Sequence, residues 1–133
     1  MHRTEVLTTI GVTVGCAVGG LLRYWCSGSV DRALGGTFPW GTMTVNVVGS
    51  LLIGVFASVS GPEGKYLVSP VARQTVMVGV FGGFTTFSSF SIQTLALARD
   101  GDWRRVAANV FLSVALCLVA VWAGWQAGAV VNR

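Results

Sequence analysis

Charged positions divide this chain into four long uncharged runs. Residues 6–22, 33–62, 74–98 and 106–132 contain no Asp, Glu, Lys or Arg. A helix needs roughly 20 apolar residues to cross a hydrocarbon core. The first run has 17 residues, but it continues past Arg23 into Tyr24, Trp25 and Cys26 and so still spans. The pattern predicts an all-α membrane protein with four transmembrane helices, at about 6–26, 40–60, 70–99 and 103–131. They form a single integral membrane domain over residues 1–133, with no room for a separate soluble domain. Breakers separate the helices: Gly35-Gly36-Thr37-Phe38-Pro39, Gly61-Pro62-Glu63-Gly64-Lys65 and Asp100-Gly101-Asp102. Trp25, Trp40, Tyr66 and Trp103 stand near helix ends, where interfacial aromatics belong.

One stretch of the third run breaks the helical pattern. Gly82-Gly83-Phe84-Thr85-Thr86-Phe87-Ser88-Ser89-Phe90 is a poor continuous helix, and an interruption is expected near Gly82-Gly83. Unpaired backbone is costly at membrane depth. Such a segment survives only where it lines a cavity or packs against protein, so it reads as the inside of a pathway. The first helix carries Gly11, Gly15 and Gly19 at every fourth position, a packing stripe of a retained helix. That spacing outweighs the signal-peptide reading, in which Ala17-Val18-Gly19 would imitate a cleavage site.

Composition supports the membrane reading. Hydrophobic residues make up 53% of the chain and charged residues 11%, with a mean hydropathy of +0.69, whereas soluble domains carry about 25% charged residues. The sign of the charge adds something further. With four spans, the side holding both termini has Arg3, Lys65, Arg73 and Arg133. The other has Arg32, Arg99, Arg104 and Arg105, with Arg23 nearby. Orientation follows an excess of Lys and Arg on the cytoplasmic side, and here that excess is at most one residue. The expectation is insertion in both orientations, which permits an antiparallel dimer.

The candidate chemistry is neutral. Glu5, Asp31, Glu63, Asp100 and Asp102 all fall at ends or in loops. Proton-coupled exporters need an ionisable group inside the membrane, which argues against the rival reading, a small dual-topology exporter. There is no carboxylate pair, no Ser/His/Asp set and no phosphate-binding glycine loop, so no enzyme is indicated. The single histidine is terminal, and Cys16, Cys26 and Cys117 lack metal or redox spacing. What remains is Asn46 with Thr42 and Ser50 at helical spacing, and Asn109, Ser113 and Cys117 on one stripe. Thr85, Thr86, Ser88, Ser89, Ser91 and Gln93 lie in the third run. Amides and hydroxyls donate weak, serial hydrogen bonds to an anion, as conduction requires. Phe87 and Phe90, three apart, add ring edges of positive potential. Singly, these residues are ordinary helix packing and back-bonding; it is their combination that points to a pathway.

Three segments together resemble the small fluoride channels of the Fluc, or CrcB, family. They are Gly20-Leu21-Leu22-Arg23-Tyr24, residues 41–49 (Gly-Thr-Met-Thr-Val-Asn-Val-Val-Gly), and Gly82-Gly83-Phe84-Thr85-Thr86-Phe87-Ser88-Ser89-Phe90-Ser91. The likeness covers essentially the whole chain, and the last segment is its most specific part. It implies a dual-topology homodimer in the cell inner (plasma) membrane, surrounded by lipid and with no nucleic-acid partner. Two antiparallel pores would give passive, selective export of fluoride. By motif position, Phe87 and Phe90 would be aromatic pore residues and Asn46 a pore-lining donor. Some of Thr86, Ser88 and Ser89 would face the ion, with Ser113 and Asn109 on the fourth helix. Arg23 would stand near a vestibule or help set orientation. The carbonyls of Gly82 and Thr85, from two subunits, would hold a structural sodium ion. Two positions depart from the family pattern: Gln93, commonly Glu, and Cys117, commonly Ser or Thr and so here a weaker donor.

Overall fold

A computed structural model describes residues 2–133. The described chain is all helical: α1 (His2–Leu34), α2 (Trp40–Val59), α3 (Pro70–Gln74), a wide π-helical stretch (Thr75–Phe81), α4 (Gly82–Phe84), α5 (Phe87–Arg99) and α6 (Trp103–Val131). From α3 to α5 the chain follows one course, Pro70–Arg99, so four units are long and apolar enough to cross a membrane.

α1 is longer than its apolar run. Its 33 residues extend about 50 Å at 1.5 Å per residue, well beyond a hydrocarbon core of about 30 Å. The extra turns are polar. Ser27 Oγ donates to the Arg23 carbonyl (2.7 Å) and Arg32 to Ser29 Oγ (3.1 Å). The helix stops at Gly35 and Gly36, whose φ of 85° and 63° belongs to the left-handed region that glycine reaches without strain. Asp31 then ties the hairpin together, its carboxylate accepting the Gly41 N–H in the first turn of α2 (2.7 Å). There the helix dipole favours negative charge. Two later starts carry side-chain caps: Ser69 Oγ accepts from the Ala72 N–H ahead of Pro70, and Asp102 from the Arg105 N–H (3.1 Å).

Packing is by close backbone approach, as expected where lipid supplies no hydrophobic drive between helices. The Gly11–Gly15–Gly19 stripe lies along the π-helical stretch. A Cβ at Gly15 would stand 2.6 Å from the Thr75 carbonyl oxygen and 2.9 Å from Gly79 Cα. α2 and α6 approach as closely and in parallel, with Gly54 against the Val121 carbonyl, Gly124 against the Leu51 carbonyl and Gly128 on Ser58. Little is buried inside the single chain. Val45 and Asn109 are the largest wholly enclosed side chains, while Phe111, Leu118, Trp122 and Ile92 point outward. An outward apolar surface of this kind suits lipid or a second subunit.

Candidate functional site

The third span leaves helical geometry at Thr85 and Thr86. The glycine pair Gly82-Gly83, where the sequence placed the break, is itself helical. Thr85 (φ −91°, ψ 159°) and Thr86 (φ −153°, ψ 114°) are the extended residues. The physical reason lies in what holds each end. Thr85 Oγ1 donates to the Phe81 carbonyl (2.9 Å), closing the incoming helix. Thr86 Oγ1 accepts the Ser89 N–H (3.1 Å), capping the outgoing one. Two adjacent threonines thus serve as a C-terminal closure and an N-cap, and the glycines provide room. Gly83 lies on the Cys16 backbone, while Gly49 of α2 leaves space for the Thr85 methyl.

Asn46 anchors this break. Its Oδ1 accepts the Thr86 N–H (2.7 Å), and its Nδ2 donates to the Thr86 carbonyl (3.0 Å). A single amide therefore satisfies both backbone groups of an extended residue that is buried at 8% exposure. Sequence reasoning assigned Asn46 as a donor to an ion. In the structure its amide oxygen and one N–H serve the backbone, and the side chain also lines the adjoining cavity.

That cavity, about 400 Å³, opens between α2, the broken span and α6. It brings together Asn46, Gly82, Thr85, Thr86, Phe87, Phe90 and Ser113 from the sequence-derived set, with Cys117 further along α6. The rings of Phe87 and Phe90 lie with centroids 5.1 Å apart and planes at 47°. They differ in setting: Phe90 is buried, whereas Phe87 is 75% exposed and projects from the chain. No acidic or basic side chain among the described residues lines the cavity.

Other candidates lie beside the cavity. Ser88 and Ser89 place their Oγ atoms 3.1 Å from Thr86 Oγ1 and support the cap. Asn109 is fully buried behind Ser113: Ser113 Oγ donates to its Oδ1 (3.2 Å), and its Nδ2 donates to Thr94 Oγ1 (2.9 Å). Thr94 in turn donates to the Phe90 carbonyl (2.7 Å). Sequence reasoning missed Thr94, although its place four residues beyond Phe90 put it on the same helical face. Arg23 reaches inward, its guanidinium donating to the Thr85 carbonyl (3.3 Å). Gln93 lies apart, at a second cavity of about 540 Å³ near the α5–α6 turn, bordered by Asp31, Asp100, Asp102 and Arg105. No group of three or more His, Cys, Asp or Glu gathers as a metal site among the described residues.

The family model described as "CrcB-like protein, Camphor Resistance (CrcB)" matches residues 10–125. A protein of Paramagnetospirillum magneticum named fluoride-specific ion channel FluC is 53% identical over 128 residues, covering 96% of this chain and all of the relative. Proteins of the same name from Opitutus terrae and Rhodospirillum rubrum are 55% and 49% identical. They cover 91% and 96% of this chain and 92% and 98% of their own lengths. Four membrane-length helices and relatives matched almost end to end make this chain a multi-pass membrane protein, and it belongs to the CrcB-like family.

Proposed function

We propose that the chain is a fluoride-selective channel giving passive fluoride export across the cell membrane. It carries out no catalytic step. One observation carries the reading: a cavity at membrane depth is walled by paired phenylalanine rings, threonine and serine hydroxyls and an amide, with no carboxylate. A small, strongly hydrated anion exchanges its water there for several weak donors and ring edges. A fixed negative charge would repel it. The relatives named fluoride-specific channels support the choice of ion.

The functional unit we propose is an antiparallel homodimer of dual-topology subunits. Phe87, three-quarters exposed beside the cavity, supports it, because a second copy would cover this ring. The near-equal count of basic residues at the two ends supports insertion both ways.

A sodium ion at the centre of this dimer fits the residues present. The Thr86 N–H, which would otherwise close on the Gly82 carbonyl, is taken by Asn46. The Ser89 N–H, which would close on Thr85, is taken by Thr86 Oγ1. The break therefore releases the Gly82 and Thr85 carbonyls, neutral hard oxygens of the kind alkali cations take. Bound there, the cation would supply positive potential, held by the Gly82 and Thr85 carbonyls of both subunits. Thr86 and Asn46 hold the carbonyl-bearing backbone in place.

Efflux from liposomes, read with a fluoride electrode, tests the function. The proposal predicts fast fluoride release that requires a potassium ionophore for charge balance and ignores a proton gradient. Slow, proton-coupled release would instead indicate the exporter reading, and fluoride-tight vesicles would leave a packing protein. Labelling a terminal tag from both sides of the membrane tests dual insertion, and labelling from one side alone would refute it.

A further inference from the structure

Arg23 is a cation placed partway down an apolar helix, half-buried, with its guanidinium on the Thr85 carbonyl at 3.3 Å. That oxygen is one of those the break releases from the helical ladder. An unpaired carbonyl at membrane depth calls for a donor, and within one protomer Arg23 provides it. We propose that Arg23 is a built-in competitor for the cation site. Its guanidinium satisfies the Thr85 carbonyl in the cation-free state, and sodium binding displaces it.

The proposal rests on the sodium reading above and adds what the protein does in the absence of the ion. A carbonyl oxygen has two lone pairs, so shared occupancy must be considered. It would place two positive charges within about 6 Å of each other where screening is weak. All five acidic residues lie at the ends or in loops, and none among the described residues is hydrogen-bonded or ion-paired to Arg23. Mutual repulsion therefore makes the two cations alternatives. Once displaced, the Arg23 side chain swings away from the break.

Two measurements on the full-length purified protein test this. The first is thermal unfolding against sodium concentration at constant ionic strength, with choline as the replacement cation. For Arg23→Gln, the sodium concentration giving half-maximal stabilisation should fall at least about tenfold below wild type. For Arg23→Lys, which keeps the charge, it should stay near wild type. An unchanged or raised midpoint in Arg23→Gln overturns the competition while leaving the sodium site standing. No sodium dependence in any of the three proteins overturns both. The second measurement needs no variant. Labelling of wild-type Arg23 by a guanidine-directed dicarbonyl, quantified by mass spectrometry, should rise severalfold when sodium replaces choline. A rate that is constant or falls would overturn displacement.

Discussion

Replacing Asn46 with Leu removes the amide but keeps nearly the same volume, so it tests what holds the broken helix. The wild-type amide makes two hydrogen bonds to the Thr86 backbone, at 2.7 and 3.0 Å. Leaving a buried backbone group without a partner costs about 1–3 kcal/mol, which sets an upper bound of about 6 kcal/mol for the pair. Polar contacts between membrane helices average about 0.6 kcal/mol, so the lower bound is about 1 kcal/mol. Thr86 is buried, water cannot substitute easily, and the expected loss is about 3 kcal/mol. That is roughly a hundredfold in the folding equilibrium. Reversible unfolding in mixed micelles with a denaturing detergent, followed by tryptophan fluorescence, measures it. Asn46→Asp tests both roles at once. Its carboxylate still accepts the Thr86 N–H, but its second oxygen turns a repulsive contact on the Thr86 carbonyl and a charge is buried, so a stability loss at least as large as that of Asn46→Leu is expected. Its charge on the anion path should stop fluoride flux. An Asn46→Leu protein within about 0.5 kcal/mol of wild type would refute the anchoring argument.

Other substitutions probe the remaining parts. Phe87→Ile should sharply cut fluoride efflux with little change in protomer stability, because the ring is exposed. Phe90→Ile should cut efflux and also lower stability by about 1–2 kcal/mol through lost core packing; unchanged flux in both would remove the aromatic role. Gly124→Val should abolish folding, since any side chain there meets the Leu51 backbone carbonyl; a stable, correctly sized protein by gel filtration would contradict this packing. Efflux per fluoride ion should hold constant between about pH 6 and 7.5, because no acidic or basic side chain among the described residues lines the cavity. A steep change in fluoride-electrode traces over that range would point to an ionisable gate. Cys117→Ser should keep or raise flux, since a hydroxyl donates better than a thiol, and a large loss would show that the thiol is needed.

The four spans were legible because charge and hydropathy set them directly, and three of the four observed spans fall within a residue of the expected bounds. α1 was underestimated because Ser27, Gly28, Ser29, Asp31 and Arg32 carry no hydropathy signal, although they continue a helix until two glycines stop it. The doubled Gly, doubled Thr and Phe-Ser-Ser-Phe step locate an interruption near Gly82-Gly83 but do not say which residues leave the helix. The extended residues are Thr85 and Thr86, whose hydroxyls bond to the two helix ends while Asn46 takes the Thr86 N–H and carbonyl and Arg23 the Thr85 carbonyl. Partners such as Asn46–Thr86 and Asn109–Thr94 lie 40 and 15 residues apart. Their pairing depends on how helices face each other, which the pattern along one helix does not encode.

Selectivity follows most directly from a neutral, ring-lined path, so the reversal potential under bi-ionic conditions is the decisive measurement. With fluoride on one side of a bilayer and chloride on the other, the account predicts a shift of about 59 mV for each tenfold preference, toward the potential of a membrane permeable to fluoride alone. A reversal potential near zero, meaning chloride passes as readily, would contradict it.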